Sequence, residues 1–137
     1  MKAKYKHFPE GQLLMETFYG DIALDDLHQI NQHQSNHIDF RHVKKTFSDI
    51  RKAKISLSVD ELNNYIEDLK NMLKIQQFRW AIVTDHPQST ALSLLIKNDP
   101  FFDNKVRVFS TVTAALIFLG IEVHTQDILN NNYHIVD

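Results

Sequence analysis

At 137 residues, 43% of them apolar and 23% charged, the chain fits one globular domain whose core needs neither disulfide nor metal. A formal net charge of −2 supplies no global field for nucleic acid or a membrane surface, so no nucleic-acid partner is expected. The absence of cysteine excludes disulfides, thiol catalysis and Cys-ligated zinc together.

Residues 3–8 and 12–19 read as two strands around Phe8-Pro9-Glu10-Gly11, a Pro/Gly turn. They predict an antiparallel hairpin at one edge of a sheet, ended by Gly20 and Asp21. Residues 24–35 follow as a helix, with Leu24, Leu27 and Ile30 at near-helical spacing and Asp21 or Asp25 to favour its start. Gln34-Ser35-Asn36-His37 is then a connection. Val43–Asp49 is expected to be a strand, although Lys44 and Lys45 fit one poorly. Ser58-Val59-Asp60-Glu61 is a capping box, in which the Ser58 hydroxyl takes an orphan amide while Glu61 reaches back. Leu62, Tyr65, Ile66, Leu69 and Leu73 recur at helical spacing and bury one face of that helix.

The stretch the chain is organised around is Phe78–Asp85, a short, nearly all-apolar run closed by Asp85 and followed by His86 and Pro87. It reads as a strand buried on both faces, Trp80 at the centre of the sheet, with a helix beginning straight after it. Ala91, Leu92, Leu95 and Ile96 give that helix its apolar face, and Asn98-Asp99-Pro100 stops it. Lys105–Phe109 alternates at period two and reads as a strand. Ser110 is expected to cap a last helix, Thr111 to Leu119, closed by Gly120. Residues 121–137 form an extension, with a short helix at Gln126–Leu129 and Tyr133–Val136 able to pair as a strand. The extension is expected to pack on residues 1–120 or on a second copy, making a homodimer. The order β-β-α-β-α-β-α-β-α predicts an α/β fold: a single-domain mixed open sheet, an N-terminal β-hairpin followed by βα units with right-handed crossovers. Met1–His7 lacks the apolar centre of a signal peptide, and no window approaches the roughly 18 apolar residues of a membrane span. A cytoplasmic, non-transmembrane protein is expected.

Four pieces, in order, resemble the small bacterial proteins of the SpoIIAA-like group in the STAS superfamily, whose fold is shared with SEC14-type lipid-binding domains. They are Tyr19-Gly20-Asp21-Ile22, then Phe47–Ala53 with Leu57–Leu62, then Arg79–Val83, and finally Val106–Thr111 with Ala114-Ala115-Leu116. The resemblance covers about residues 5–120 and implies a regulatory, non-enzymatic module that binds an unidentified protein partner. It also favours a strand at 43–49. The group's phosphorylation motif is an Asp-Ser pair followed by Ser/Thr and Gly. Asp49–Ser56 has neither the pair nor a glycine, so no phosphosite carries over.

Other chemistry is thinly represented. No G-x-S-x-G elbow, P-loop or dinucleotide fingerprint can be built from Gly11, Gly20 and Gly120, and no catalytic, cofactor-binding or metal-ligating residue is assigned. His33 and His37 are four apart and would share a face if the helix extended that far, but Asn36 and the polar flanks end it before His37, and both read as solvated side chains. The one charge cluster is Arg41, Lys44, Lys45, Arg51, Lys52 and Lys54. In open α/β sheets, ligands lie outside the carboxyl ends of the parallel strands. Those ends are expected at Asp49, Asp85 and Ser110, followed by helix starts at Ser58, Pro87 and Thr111. Arg51, Lys52 and Lys54, on a loop, would add cations to that rim, with His86 joining at lower pH. The rim is expected to meet an acidic partner surface; the alternative is a carrier or sensor of a small amphiphilic or anionic ligand, such as an anionic lipid.

Overall fold

The computed structural model describes residues 1–73, 77–121 and 132–137; the helix expected at 126–129 lies outside the described residues. β1 (Ala3–Phe8) and β2 (Leu13–Ile22) form the N-terminal antiparallel hairpin around a 3-10 turn at Pro9–Gly11. β3 (Lys45–Ile55) pairs parallel to β2, β4 (Arg79–Val83) parallel to β3, and β5 (Val106–Phe109) parallel to β4. β6 (His134–Val136) pairs antiparallel to β1. The result is one mixed six-stranded sheet in the order β5-β4-β3-β2-β1-β6. The helices α1 (Leu24–His37), α2 (Val59–Leu73), α3 (Pro87–Lys97) and α4 (Val112–Leu119) connect and cover it. This is the expected α/β class, with the hairpin leading into βα units.

Two placements differ from expectation. The hairpin is not an edge, because the backbone of β1 finds a second partner: β6 pairs with Ala3–Tyr5 and the Val136 carbonyl accepts from the Lys2 N–H at 2.7 Å. Pairing that row removes an open template for aggregation. β4 lies one strand in from the edge, and β3 and β2 occupy the middle. Trp80 is nonetheless buried, only 8% exposed.

Alternation along the strands divides the core between the two sheet faces. Tyr5, Leu14, Phe18, Trp80 and Val106 point into the larger cluster, where Leu27 and Ile30 of α1, Leu62, Ile66 and Leu69 of α2 and Ile96 of α3 cover them. Leu13, Met15, Phe47, Ala81 and Val83 point the other way, onto Ala115 and Leu119 of α4. Gly120 ends α4 in the left-handed region at φ 66°, its N–H donating to the carbonyls of Leu116 and Ile117.

α2 starts as its sequence dictates. The Glu61 N–H donates to Ser58 Oγ at 3.1 Å, and the Ser58 N–H donates to Glu61 Oε1 at 3.0 Å. Ser58→Ala should therefore cost about 0.5–2 kcal/mol. The urea midpoint should fall with an unchanged slope, and an unaltered midpoint would show that the box contributes nothing.

α3 turns a different face inward from the expected one. Ser89, Ser93 and Ile96 are buried and Leu92 is half-buried, while Ala91 and Leu95 face solvent. Small side chains let the helix lie close on the sheet, and the Ser93 hydroxyl donates back to the Ser89 carbonyl at 2.8 Å, so its burial leaves nothing unpaired.

One polar network crosses the larger core. Trp80 Nε1 donates to Ser48 Oγ at 2.8 Å, Ser48 Oγ donates to Glu16 Oε1 at 2.9 Å, and Gln34 Nε2 donates to Glu16 Oε2 at 2.9 Å. It ties α1 to β2, β3 and β4. Burial pushes the Glu16 carboxyl pKa up, and the hydrogen bonds from Gln34 and Ser48 oppose that rise.

Candidate functional site

The carboxyl end of the sheet is shaped by a β-bulge. Thr17 pairs with Asp49 but Tyr19 pairs with Lys52, so Ile50 and Arg51 together stand opposite Phe18. Ile50 fills the larger core. The extra residue resets the alternation, and Asp49, Arg51 and Lys52 all line the side of the sheet that carries α4. This corrects the sequence reading in two respects. Asp49 does not end its strand, and Arg51-Lys52-Ala53-Lys54 is not a loop: β3 runs on to Ile55, paired with Tyr19–Ile22 of β2.

The bulge locks its own side chains. Arg51 Nε and a terminal guanidinium nitrogen donate to the two Asp49 carboxylate oxygens at 3.0 and 2.8 Å, and the Arg51 N–H donates to Asp49 Oδ1 at 3.1 Å. The Asp49 hydrogen bond raises the Arg51 pKa further, with smaller contributions from the charges of Asp49 and Asp85. His86 Nε2 lies 3.0 Å from the Arg51 carbonyl and 3.3 Å from Asp85 Oδ1. A carbonyl only accepts, so Nε2 carries the proton and fastens the β4–α3 turn to the bulge.

Of the expected rim, the structure brings Asp49, Arg51, Asp85 and His86 together. Lys52 stands beside them, its ammonium 5.8 Å from the Tyr19 ring centre. Lys54 lies two residues further along β3, opposite Asp21. Ser58 is separated from this group, because α2 starts only after β3 has run six residues past Asp49, roughly 20 Å at strand rise. Ser110 is exposed and is not the cap of α4: Thr111 is, its Oγ1 accepting from the Ala114 N–H at 3.2 Å. The helix starts do not converge on one side either. α2 and α3 belong to the larger core and α4 to the smaller one.

Next to the bulge, on the α4 side, lies a cleft of about 180 Å³. Asp49, Arg51 and Lys52 form one wall, Lys4 and Tyr133 the other, and Val112 at the start of α4 closes one end. Lys4, Tyr19 and Tyr133 were not among the expected site residues. The alternation of β1, with Ala3 and Tyr5 facing one core, places Lys4 on the opposite face; Tyr133 arrives there only through the pairing of the chain's end.

The histidines form a separate group. α1 continues to His37, further than expected, so His33 and His37 share a face. Tyr5 Oη lies 2.6 Å from His33 Nδ1 and 3.2 Å from His37 Nδ1. The β6 residue His134 stacks on Tyr5 at 5.0 Å between ring centres and lies 4.6 Å from the His37 ring. Burial first, then the nearby His37 and His33, lower the His134 pKa.

No protein-family model matches the chain, and no curated protein matches it. Solved structures do match it, two of them as follows. One is a protein of the DUF3478 family with a SpoIIAA-like fold from Shewanella loihica PV-4, 20% identical, TM-score 0.53, covering 78% of this chain and 83% of that one. The other is the anti-sigma factor antagonist SpoIIAA in its unphosphorylated form, 10% identical, TM-score 0.51, covering 78% of this chain and 87% of that one. With the hairpin, the parallel βα units and the two-sided core described above, these likenesses establish that the chain carries the SpoIIAA-like fold.

Proposed function

We propose that the protein is a non-enzymatic, regulatory interaction module of STAS type, which uses the bulged carboxyl end of its sheet to bind an acidic surface of a protein partner. The observation that carries this reading is the bulge itself. It turns Arg51 and Lys52 to one side of the sheet, fixes Arg51 on Asp49 and leaves a cationic rim fastened by His86. Residues 121–137 are proposed as an extension docked on the domain of residues 1–120, a reading supported by the pairing of β6 with β1.

Packing favours a partner over a lipid. Two gaps lie beneath α2, one of about 40 Å³ bordered by α3 and one of about 30 Å³ bordered by α1. Each has room for a water, and both are far below the roughly 150 Å³ of a cavity that admits benzene, so no acyl chain fits beneath the helices. Among the described residues no helix is long and apolar enough to cross a membrane.

Exchanging Arg51, Lys52 and Lys54 together for Ala tests the reading. The fold should persist by circular dichroism, and capture of partners from cell extract should weaken by roughly tenfold, the parent's capture also fading with added salt. An unchanged set, captured equally well, would reduce the rim to a solvated edge.

A further inference from the structure

We propose that the cleft between β1, the bulge of β3 and the start of α4 receives a carboxylate side chain of the partner, held between Lys4 and Lys52. This rests on the interaction-module reading above and assigns the contact point within it. The cleft's volume of about 180 Å³ exceeds a benzene-sized cavity of about 150 Å³ and falls short of the roughly 300 Å³ at which small-molecule sites begin. One side chain fits it; a whole cofactor does not.

Its charges select the sign. Three cations, Lys4, Arg51 and Lys52, line the cleft with two acidic residues, Asp49 and Glu16, and the Glu16 carboxyl is held on Ser48 and Gln34 in the larger core. Asp49 and Arg51 satisfy each other through the two-pronged pair, which leaves two ammonium groups without an ion pair among the described residues. Each lies over an aromatic ring, Lys4 at 5.0 Å from the Tyr133 centre and Lys52 at 5.8 Å from that of Tyr19. A ring face steadies an ammonium without cancelling its charge, so the field remains available to an anion. Lys4 is the register partner of Thr17 and Lys52 that of Tyr19, so the two stand on opposite sides of β2, with backbones about 10 Å apart across the sheet. Long flexible stems can close that span onto one carboxylate. Val112 brings the first turn of α4 to the same cleft, and its amides add partial positive charge. Met15 and Phe47 on the floor suit the methylenes of a Glu better than a bare ion.

Titration of the ¹⁵N-labelled full chain with N-acetyl triglutamate amide, followed by amide shifts, tests this. Shifts should concentrate at Lys4, Thr17, Tyr19, Lys52 and Val112 and vanish in 0.5 M salt. The Lys4→Gln/Lys52→Gln variant, checked for fold by its own spectrum, should bind at least tenfold more weakly, and Lys4→Arg/Lys52→Arg should bind like the parent. Shifts spread over all surface lysines, or equal binding by the Gln variant, would overturn the assignment. So would tighter binding of a phosphoserine peptide or of phosphatidylserine vesicles. If the Arg51/Lys52/Lys54 variant loses its partners while the Gln variant still binds triglutamate normally, the cleft assignment fails and the module reading stands. If capture is also unchanged, both fail.

Discussion

Trp80→Ala should destabilise the protein by about 3–5 kcal/mol, the range for removing a large aromatic side chain from a packed core. The ring packs edge-on to Phe102 at 6.0 Å between centres, and Phe102 is itself fully buried among Phe78 and Phe101. The indole N–H also donates to Ser48. Trp80→Phe keeps part of the ring packing but loses the N–H together with the rest of the indole. It should cost more than the roughly 0.5–1.5 kcal/mol of a hydrogen bond alone and less than the Ala variant. Equilibrium urea unfolding followed by circular dichroism measures both, since Trp80 is the sole tryptophan and fluorescence is lost with it. A cost below about 1.5 kcal/mol for the Ala variant would mean that the organising strand is not packed as described.

The second large effect is a pH dependence. Burial raises the folded-state pKa of Glu16 above its ordinary value. Below about pH 4 the carboxyl is protonated in folded and unfolded chains alike, and its contribution to stability is complete. As pH rises the unfolded chain ionises first while the folded chain holds its proton, so stability falls until pH passes the folded pKa. Glu16→Gln removes that loss. Its amide can accept from Ser48 and donate to a flipped Gln34 amide, keeping the network satisfied without charge. The variant should therefore match the parent near pH 4 and exceed it increasingly toward neutral pH. Asp39 runs the other way, its pKa held low by the hydrogen bond from Arg41. The difference between variant and parent cancels that background. A variant less stable than the parent at pH 7–8 would show that the ionised carboxylate is the favoured state.

How much of this was legible depends on how local each signal is. The capping box of α2 and its five-residue apolar stripe are written within sixteen residues, Ser58 to Leu73, and the fold has no reason to override them. The apolar run at β4 and the Pro/Gly turn of the hairpin are local too. The length of β3 was hidden because a bulge breaks the period-two pattern. Ile50, Ala53 and Ile55 all face the larger core at spacings of three and then two, and that change of step was the signal available. α3 carries apolar residues around most of its circumference, so its sequence could not say which stripe turns inward. The cleft draws on β1, β2, β3, α4 and the chain's end, and no spacing in the sequence joins Lys4 to Lys52 and Tyr133. His134 joins His33 and His37, which α1 already sets four apart on one face, only because β6 pairs with β1 at Tyr5.

The most direct test of the interaction-module account is amide hydrogen exchange on the protein with and without its captured partner. Slowed exchange at 49–54, 85–86 and 110–112 is the expected result, centred on the bulge and the turns fastened to it. Slowed exchange confined to α3 around Leu94 and Leu95, or to β6, with the bulge unchanged, would contradict the account.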